Sequence, residues 1–271
     1  MSDIFDQNAT VYARIDEPFG RIVLNRPEKK NAMLQAMWHR VSDAVLALDA
    51  APDVRVIIVC SSTATSFSAG ADISELGAIS SDPERRNANR LAIRDAQREL
   101  ARAKKPTIAQ ISGPCIGGGC GLAIHCDFRF AADTARFGIT PAKIGIIYPL
   151  NDTKQLMDLV GVSKAKSMLF TGRLINAAEA ENIGLIDRLL PAGALEADME
   201  AFARELAAVS QYSLNGIKKT MQRILDGQVD DDMQSENMFL EAHESIDAKE
   251  GVAAFLEKRT ANFIWSQGDG D

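Results

Sequence analysis

The sequence has few aromatic side chains, no long hydrophobic run and no excess of positive charge. Phe, Trp and Tyr make up 6% of the 271 residues, so the core must be built mainly from Ala, Ile, Leu and Val. No apolar run approaches the roughly 18 residues that a membrane-spanning helix needs. Lys and Arg number 30 against 37 Asp and Glu, and this net charge of −7 argues against nucleic acid or an anionic membrane as a partner.

Cysteine is also scarce, and no two of the four cysteines have C-x-x-C spacing (Cys60, Cys115, Cys120 and Cys126). Each lies in apolar or glycine-rich sequence, which favours small buried thiols over zinc ligands or a disulfide framework. The N-terminal segment lacks the basic and apolar regions of a secretory signal. We therefore expect a soluble globular protein of a reducing, cytoplasmic compartment that binds no metal.

What is present in the first half of the chain is an alternation of strand-like and helix-like segments. Alternating apolar residues around a turn at 18–20 predict a β-hairpin, and a helical period from Leu34 predicts a helix that ends before Pro52. Further segments follow the same patterns, with strands at 54–60, 107–111 and 127–131 and a helix over about 84–103. The alternation predicts an α/β core with largely parallel connections.

The second half of the chain is predicted to be almost entirely helical. Helical periodicity recurs at 151–160, 163–170, 177–182, 195–209, 213–226, 232–246 and 249–258. We expect an architectural change near residue 208, which divides the chain into an α/β core at 1–208 and a helical region at 209–271.

Two glycine-rich loops follow core strands, at 66–73 and 112–119. Glycine lets the backbone approach a ligand closely, and a loop that opens a helix aims free N–H groups at one point. Two converging N–H groups would stabilise an oxyanion, and each such donor lowers a barrier by about 2.7–4 kcal/mol. One loop alone is more simply a tight turn between strand and helix, whereas the two together favour an anion site.

A series of short motifs runs in order along nearly the whole chain. It comprises Leu24–Pro27, Phe67–Ile73, Lys105–Ala109, Gly117–Gly119, Cys126–Arg129, Arg136–Gly138, Gly172–Arg173, Gly184–Ile186 and Phe255–Arg259. This series resembles the crotonase superfamily, also called the enoyl-CoA hydratase/isomerase family. The resemblance implies a spiral of ββα units with a C-terminal helical region that forms a homotrimer, or a hexamer made of two trimers. It also implies acyl-CoA thioester substrates, with coenzyme A entering as part of the substrate and no permanently bound cofactor.

The family pattern assigns roles to both loops. The N–H groups of Ala71 and Gly118 would hold the thioester oxygen and stabilise the enolate formed from it. The Ala69–Gly70 segment would contact the adenine of CoA, and Lys29 and Lys30 stand where the family places cations near the CoA phosphates. A solvated loop explains the two lysines equally well, so their role stays open.

The acid and base groups of family hydratases are missing from this sequence. Their two glutamates would fall at Gly121 and Pro141, and neither of these residues can exchange a proton through its side chain. We therefore expect the two positions to line the substrate pocket and do not expect a hydratase of the ordinary design.

Side chains that could replace the two glutamates lie in the segment around and after Pro141. The spacing of Thr140, Pro141, Gly145 and Tyr148 is similar to that of family decarboxylases acting on methylmalonyl-type CoA thioesters, in which a tyrosine and a threonine lie beside the substrate carboxylate. Decarboxylation needs no general base, because departing carbon dioxide leaves its electrons behind. Tyr148 and Thr140 are therefore the leading catalytic side chains, for loss of carbon dioxide from a malonyl-type thioester.

Two other interpretations stay open. An enoyl-CoA hydratase or isomerase could use Tyr148 or Asp152, although an aspartate near the start of a helix is more often its N-cap. His125 fits a core histidine better than a catalytic one, and Asp72 is expected to cap or brace the first loop.

In the second interpretation, the chain is a non-catalytic acyl-CoA-binding protein that keeps the oxyanion hole. The sequence does not decide whether the region 74–90 covers the pocket as a lid.

Overall fold

The protein alternates strands and helices along the first half of the chain, as the computed structural model shows for residues 5–265. The strands are β1 (Val11–Asp16), β2 (Phe19–Leu24), β3 (Val56–Ser61), β4 (Thr107–Ile111), β5 (Pro114–Ile116), β6 (Phe128–Ala132), β7 (Arg136–Gly138), β8 (Ile175–Asn176) and β9 (Arg188–Leu190). The helices are α1 (Gln35–Ala50), α2 (Ile73–Ser81), α3 (Pro83–Arg102), α4 (Gly118–Ile124), α5 (Leu150–Thr171), α6 (Ala177–Asn182), α7 (Leu195–Ala208), α8 (Gln211–Leu225), α9 (Met233–Glu244) and α10 (Ile246–Glu257).

Two sheets organise the core. The larger has the order β1-β2-β3-β4-β6-β9 and is parallel except for the β1–β2 hairpin. The smaller has the order β5-β7-β8. Strand β3 is apolar along most of its length because helices cover both faces of the larger sheet, α1 on one side and α7 on the other. The predicted α/β core, its hairpin and its parallel connections are confirmed.

Most predicted elements are present, and the missed ones are short. The predicted helices at 151–160 and 163–170 join as α5, with a break at Gly161, whose φ is 74°. The strands β5, β7, β8 and β9 have only two or three residues each, which is too few to show a period of their own. Helix α2 was also missed, and it forms most of the region 74–90 together with the start of α3.

Polar bridges join helix α8 and the residue that follows it to the core. Nζ of Lys218 lies 2.6 Å from Oδ2 of Asp127, and Arg102 forms an ion pair with Asp226. Large apolar side chains remain exposed on helices α8 to α10 and their connections, among them Val229, Phe239, Phe255 and Leu256. The helical C-terminal region is confirmed, while its division from the core at residue 208 stays a prediction. Within residues 5–265, no helix is long and apolar enough to span a membrane.

Candidate active site

The first glycine-rich loop is held by a buried asparagine. Nδ2 of Asn31 donates to the backbone oxygens of Ser66 and Phe67, at 3.0 Å each, and to Oγ of Ser61 at 2.8 Å. Its Oδ1 accepts from the backbone N–H of Arg26. Because one fully buried amide satisfies several backbone groups at once, the loop is fixed before a ligand arrives.

Ala71 stands at the end of this loop with its backbone N–H unused. The neighbouring groups are paired with Met33, whose N–H donates to the oxygen of Gly70 at 2.7 Å and whose oxygen accepts from Asp72 at 3.0 Å. The N–H of Ala71 itself has no partner among residues 5–265. Ala71 is exposed, so this donor is available to a ligand.

The second loop brings Gly118 next to Ala71. Gly117 has a φ of 53° and donates to the oxygen of Gly138 at 2.8 Å, and α4 begins at the next residue. A methyl group at position 118 would lie 4.0 Å from the nitrogen of Ala71. At Gly70, with φ of 95°, a methyl group would lie 2.9 Å from the oxygen of Ile116, so a side chain is excluded where the loops touch.

The two loops therefore place two free backbone donors side by side. The N–H of Gly118 is the first of α4 and has no partner among the described residues, and the dipole of the helix favours negative charge at this end. The structure thus brings together the two residues that the sequence assigned to an oxyanion hole. The catalytic role of Ala71 and Gly118 remains a proposal.

Asp72 braces this arrangement, as the sequence predicted. It is the N-cap of α2, where its Oδ1 accepts from the N–H of Ser74 at 2.7 Å and from the Ser74 hydroxyl at 2.5 Å, and it pairs with Arg26. The Ser74 hydroxyl and the Arg26 guanidinium lower the pKa of this carboxyl to about 2. Asp72 is therefore ionised at neutral pH and serves the loop as a fixed anchor.

The residues predicted to contact CoA lie on adjoining backbone. The N–H of Ala69 donates to the oxygen of Lys30 at 2.9 Å, and Gly70 follows directly. The side chains of Lys29 and Lys30, next to this backbone hydrogen bond, are both exposed. The structure thus groups these residues at one edge of the site.

The position of one missing glutamate, Gly121, faces a cluster of polar groups. A methyl group at position 121 would lie 2.7 Å from Nε2 of Gln97, 2.8 Å from Oδ1 of Asp152 and 3.2 Å from the hydroxyl of Tyr148. Gln97, Asp152 and Tyr148 come from α3, α5 and the segment before α5. Their polar atoms fill the space into which a side chain at position 121 would project.

Asp152 is not a helix cap, so that expectation is wrong. Helix α5 begins at Leu150 with Pro149 as its N-cap residue, and Asp152 lies one helical turn before Leu156 on the same buried face. Its Oδ1 accepts a 2.7 Å hydrogen bond from Nε2 of Gln97. Asp152 and Gln97 are only 2% and 3% exposed, so the pair is sealed from bulk water.

Burial sets the protonation of this cluster. It raises the pKa of Asp152 and lowers the pKa of His125, and each shift is partly offset by the charge of the other group. Burial also raises the pKa of Tyr148 well above its usual range, and the Asp152 carboxyl raises it further. The Tyr148 hydroxyl oxygen is buried beside that carboxyl but makes no hydrogen bond of regular geometry.

His125 is buried, as expected for a core histidine, and its Nδ1 lies 2.7 Å from the oxygen of Gly121. Thr140 and Pro141 lie at the start of a 3₁₀ helix, Pro141–Ile144. The Thr140 hydroxyl makes no hydrogen bond within residues 5–265. The structure thus gathers Tyr148 and Asp152 around Gly121, and it shows no contact that ties Thr140 to them.

Gln97 is the site residue that the sequence interpretation missed. Its signal is a polar residue on the buried face of α3, whose other buried members are Ala92, Ala96 and Leu100. An uncharged amide among alanines is an ordinary feature of a helix, and only the contact with Asp152 gives it meaning. Residues 5–265 contain no group of three or more His, Cys, Asp or Glu side chains that could hold a metal ion.

Comparison with known proteins identifies the family of the chain. The family model for enoyl-CoA hydratase/isomerase matches residues 14–266. A Mycobacterium bovis protein named "Probable enoyl-CoA hydratase echA8" is 35% identical over 94% of this chain and 97% of its own length. The crotonyl-CoA hydratase of Syntrophomonas wolfei is 35% identical over 92% of this chain and 95% of its own.

A solved structure from Hyphomonas neptunium, of an enoyl-CoA hydratase/isomerase family protein, superimposes with a TM-score of 0.93 at 38% identity. It covers 95% of this chain and 98% of that one. The chain belongs to the enoyl-CoA hydratase/isomerase family, the crotonase superfamily, and it has the fold of an enzyme that acts on acyl-CoA.

Proposed function

We propose that this enzyme forms a thioester enolate held by the N–H groups of Ala71 and Gly118, and that Tyr148 delivers a proton to it. The two donors are adjacent and unpaired, and α4 adds its dipole, so they are suited to charge that develops on a thioester oxygen. Neither donor depends on a side chain. The hole would therefore serve any reaction that passes through this intermediate.

The protonation of Tyr148 favours decarboxylation of a malonyl-type CoA thioester. Because burial keeps this phenol protonated at neutral pH, Tyr148 is suited to donate a proton and unsuited to remove one. In decarboxylation the bond between the α-carbon and the carboxylate breaks and its electron pair forms the enolate. The proton of Tyr148 then goes to the α-carbon. The hydroxyl of Thr140 would donate to the substrate carboxylate before carbon dioxide leaves.

Hydration or isomerisation of an enoyl-CoA is the second candidate, on a specific observation. Oδ1 of Asp152 lies 2.8 Å from where the side chain of residue 121 would begin. The resemblance to family hydratases puts a glutamate at this position, so Asp152 would supply a carboxyl group close to it. The matched relatives are named as hydratases. In this reaction Asp152, acting through Tyr148, would serve as the base.

Assembly and substrate anchoring belong to the same proposal. Exposed apolar residues on α8 to α10 support a homotrimer or a hexamer, because so many uncovered side chains favour burial against further copies. The exposed Lys29 and Lys30 beside Ala69 support a short-range clamp on CoA phosphates.

A mixed panel of acyl-CoA thioesters tests the reaction. The protein is incubated in heavy water with enoyl-, malonyl- and methylmalonyl-CoA, and the masses of the products are measured. Loss of carbon dioxide with gain of deuterium is the expected result. Gain of water on the enoyl thioesters would favour Asp152 as the base instead. Tight binding of the thioesters with no change in mass would contradict both reactions and favour a binding protein.

Replacement of Tyr148 by Phe tests the proton donor. The change removes only the hydroxyl, and kcat should fall by about 10²–10⁴-fold, the usual contribution of general acid catalysis. Tyr212→Phe is the matched control, since Tyr212 packs against Trp265, away from this cluster, and should leave kcat unchanged. An unaltered kcat in Tyr148→Phe would remove this residue from the mechanism.

A further inference from the structure

Several buried polar groups lie around Gly121, and the reaction described above does not use them in full. Gln97 holds Oδ1 of Asp152 from α3. His125 lies at the C-terminal end of α4, where its Nδ1 is 2.7 Å from the oxygen of Gly121. Polar groups from Gln97, Asp152 and the Tyr148 hydroxyl all lie within 3.2 Å of where a side chain at Gly121 would begin.

The hydrogen-bond partners show which of these groups donate and which accept. A backbone oxygen only accepts, so Nδ1 of His125 carries its hydrogen and donates to Gly121. Gln97 donates through Nε2, which leaves the second oxygen of Asp152 free of this bond. The carboxyl is thereby held in one orientation beside the phenol.

The surroundings favour the neutral forms of Asp152 and His125. Burial raises the pKa of the carboxyl and lowers the pKa of the imidazole, which disfavours a buried ion pair. The other titratable groups that act on the phenol are the thiols of Cys115, from β5, and Cys120, from α4. Both thiols are buried. Burial thus favours a protonated Asp152, whose Oδ1 lies with the Tyr148 hydroxyl beside the same glycine.

We propose that Asp152, held by Gln97, returns a proton to Tyr148 after the phenol has protonated the enolate. The inference rests on the proposed function. The O–H bond of Tyr148 breaks as the C–H bond of the product forms, and the O–H bond of Asp152 breaks as the phenol is restored. The carboxylate accepts the Gln97 hydrogen bond. After the product leaves, water in the emptied substrate pocket gives a proton to Tyr148, which passes its own proton back to Asp152. Gln97 acts as the positioning residue.

Infrared spectroscopy tests the stored proton without any substrate. The wild-type protein at neutral pH should show the C=O stretching band of a buried protonated carboxyl group, and Asp152→Asn should lose it. Asp158→Asn is the matched control on the same helix, because Asp158 is a partly exposed carboxylate paired with Lys154, and it should keep the band. Absence of any band that Asp152→Asn removes would overturn the proposal.

Pre-steady-state kinetics tests the direction of transfer, with methylmalonyl-CoA as the probe. In Asp152→Asn the first turnover should keep its rate, because Tyr148 still carries its own proton, while later turnovers slow by about 10- to 100-fold. Equal slowing of first and later turnovers would mean a structural role and would overturn the proposal. Unchanged turnover throughout would overturn it as well. Failure of the proposed function would appear separately, as unaltered activity in Tyr148→Phe, and would leave the infrared result intact.

The positioning residue has its own readout. Gln97→Met removes the N–H donor at similar length, and this hydrogen bond lowers the pKa of Asp152 in the wild type. Gln97→Met should therefore shift the disappearance of the infrared band to higher pH. His125→Asn is the matched control, because it keeps a donor for Gly121 and replaces a ring that burial keeps neutral, and it should leave the titration in place. A band that titrates in Gln97→Met as in the wild type would show that Gln97 does not act on Asp152.

Discussion

The two sides of the candidate site differ in the chemical groups that they offer to a ligand. On one side, Ala71 and Gly118 offer backbone N–H groups held by loop geometry and by Asn31. On the other side, Tyr148 and Asp152 offer side chains placed by packing between helices. The backbone side follows the family motifs closely, whereas the side-chain side departs from them at both glutamate positions.

This difference shows how one fold can hold several chemistries. A hole made of N–H groups needs only a path for the backbone, so it tolerates many changes in the side chains around it. The proposed proton transfer depends on which side chains face the α-carbon, and here the carboxyl group beside position 121 comes from α5. Family membership therefore supports the proposed intermediate more directly than it supports any one reaction.

Breaking the backbone side should have a large effect on activity. Ala71→Pro deletes one donor of the hole, and kcat for any reaction through the enolate should fall by about 10²–10³-fold, or 2.7–4 kcal/mol. Ala71→Gly keeps the N–H and is the matched control, with kcat close to wild type. Circular dichroism checks that both variants fold. Full activity in a folded Ala71→Pro variant would show that this N–H does not hold the thioester oxygen.

The backbone side was predictable from the sequence because glycine patterns report on the path of the chain. Gly70 and Gly117 both have positive φ, a requirement that leaves its trace in the residue type. The alternation of strands and helices was visible for the same reason, since hydrophobic period reflects local geometry. The brace at Asp72 was likewise a local feature.

The side-chain side could be predicted only in part. Tyr148 and Asp152 were named as candidates, but Asp152 was expected to cap its helix, because a sequence shows an aspartate near a helix start and not the face to which it points. Gln97 lies 55 residues from Asp152, and nothing local indicates that they meet. Contacts between distant helices depend on packing, which one sequence does not report.

Replacing Gly121 by Ala tests whether the polar cluster fills the space beside α4. The added methyl group would lie within 3 Å of both Gln97 and Asp152, so the free energy of unfolding should fall by about 1–3 kcal/mol. Gly77→Ala is the matched control, because that helical glycine has no atom within 4 Å of the new methyl group and should gain about 0.5–1 kcal/mol. Urea unfolding measures both. A Gly121→Ala variant as stable as wild type would mean that these side chains can move aside without a loss of stability.

The smallest expected effect concerns the anchor of the backbone side, and it depends on pH. The pKa of Asp72 is lowered to about 2, so its carboxylate stabilises the fold above the unfolded value near 3.8 and loses this contribution as the pH falls through 2. Asp72→Asn should cost about 1–2 kcal/mol at neutral pH, and the difference from wild type should vanish towards pH 2.

Ser74→Ala sharpens the same test. It removes the hydroxyl that lowers the pKa of Asp72 most but leaves the ion pair with Arg26. The free energy of unfolding should therefore begin to fall at a higher pH than in the wild type. Urea unfolding at several pH values separates the two variants. If Asp72→Asn lowered the free energy of unfolding by the same amount at low pH as at neutral pH, Asp72 would stabilise the loop through its shape. The charge of Asp72 would then contribute nothing to the stability of the backbone side.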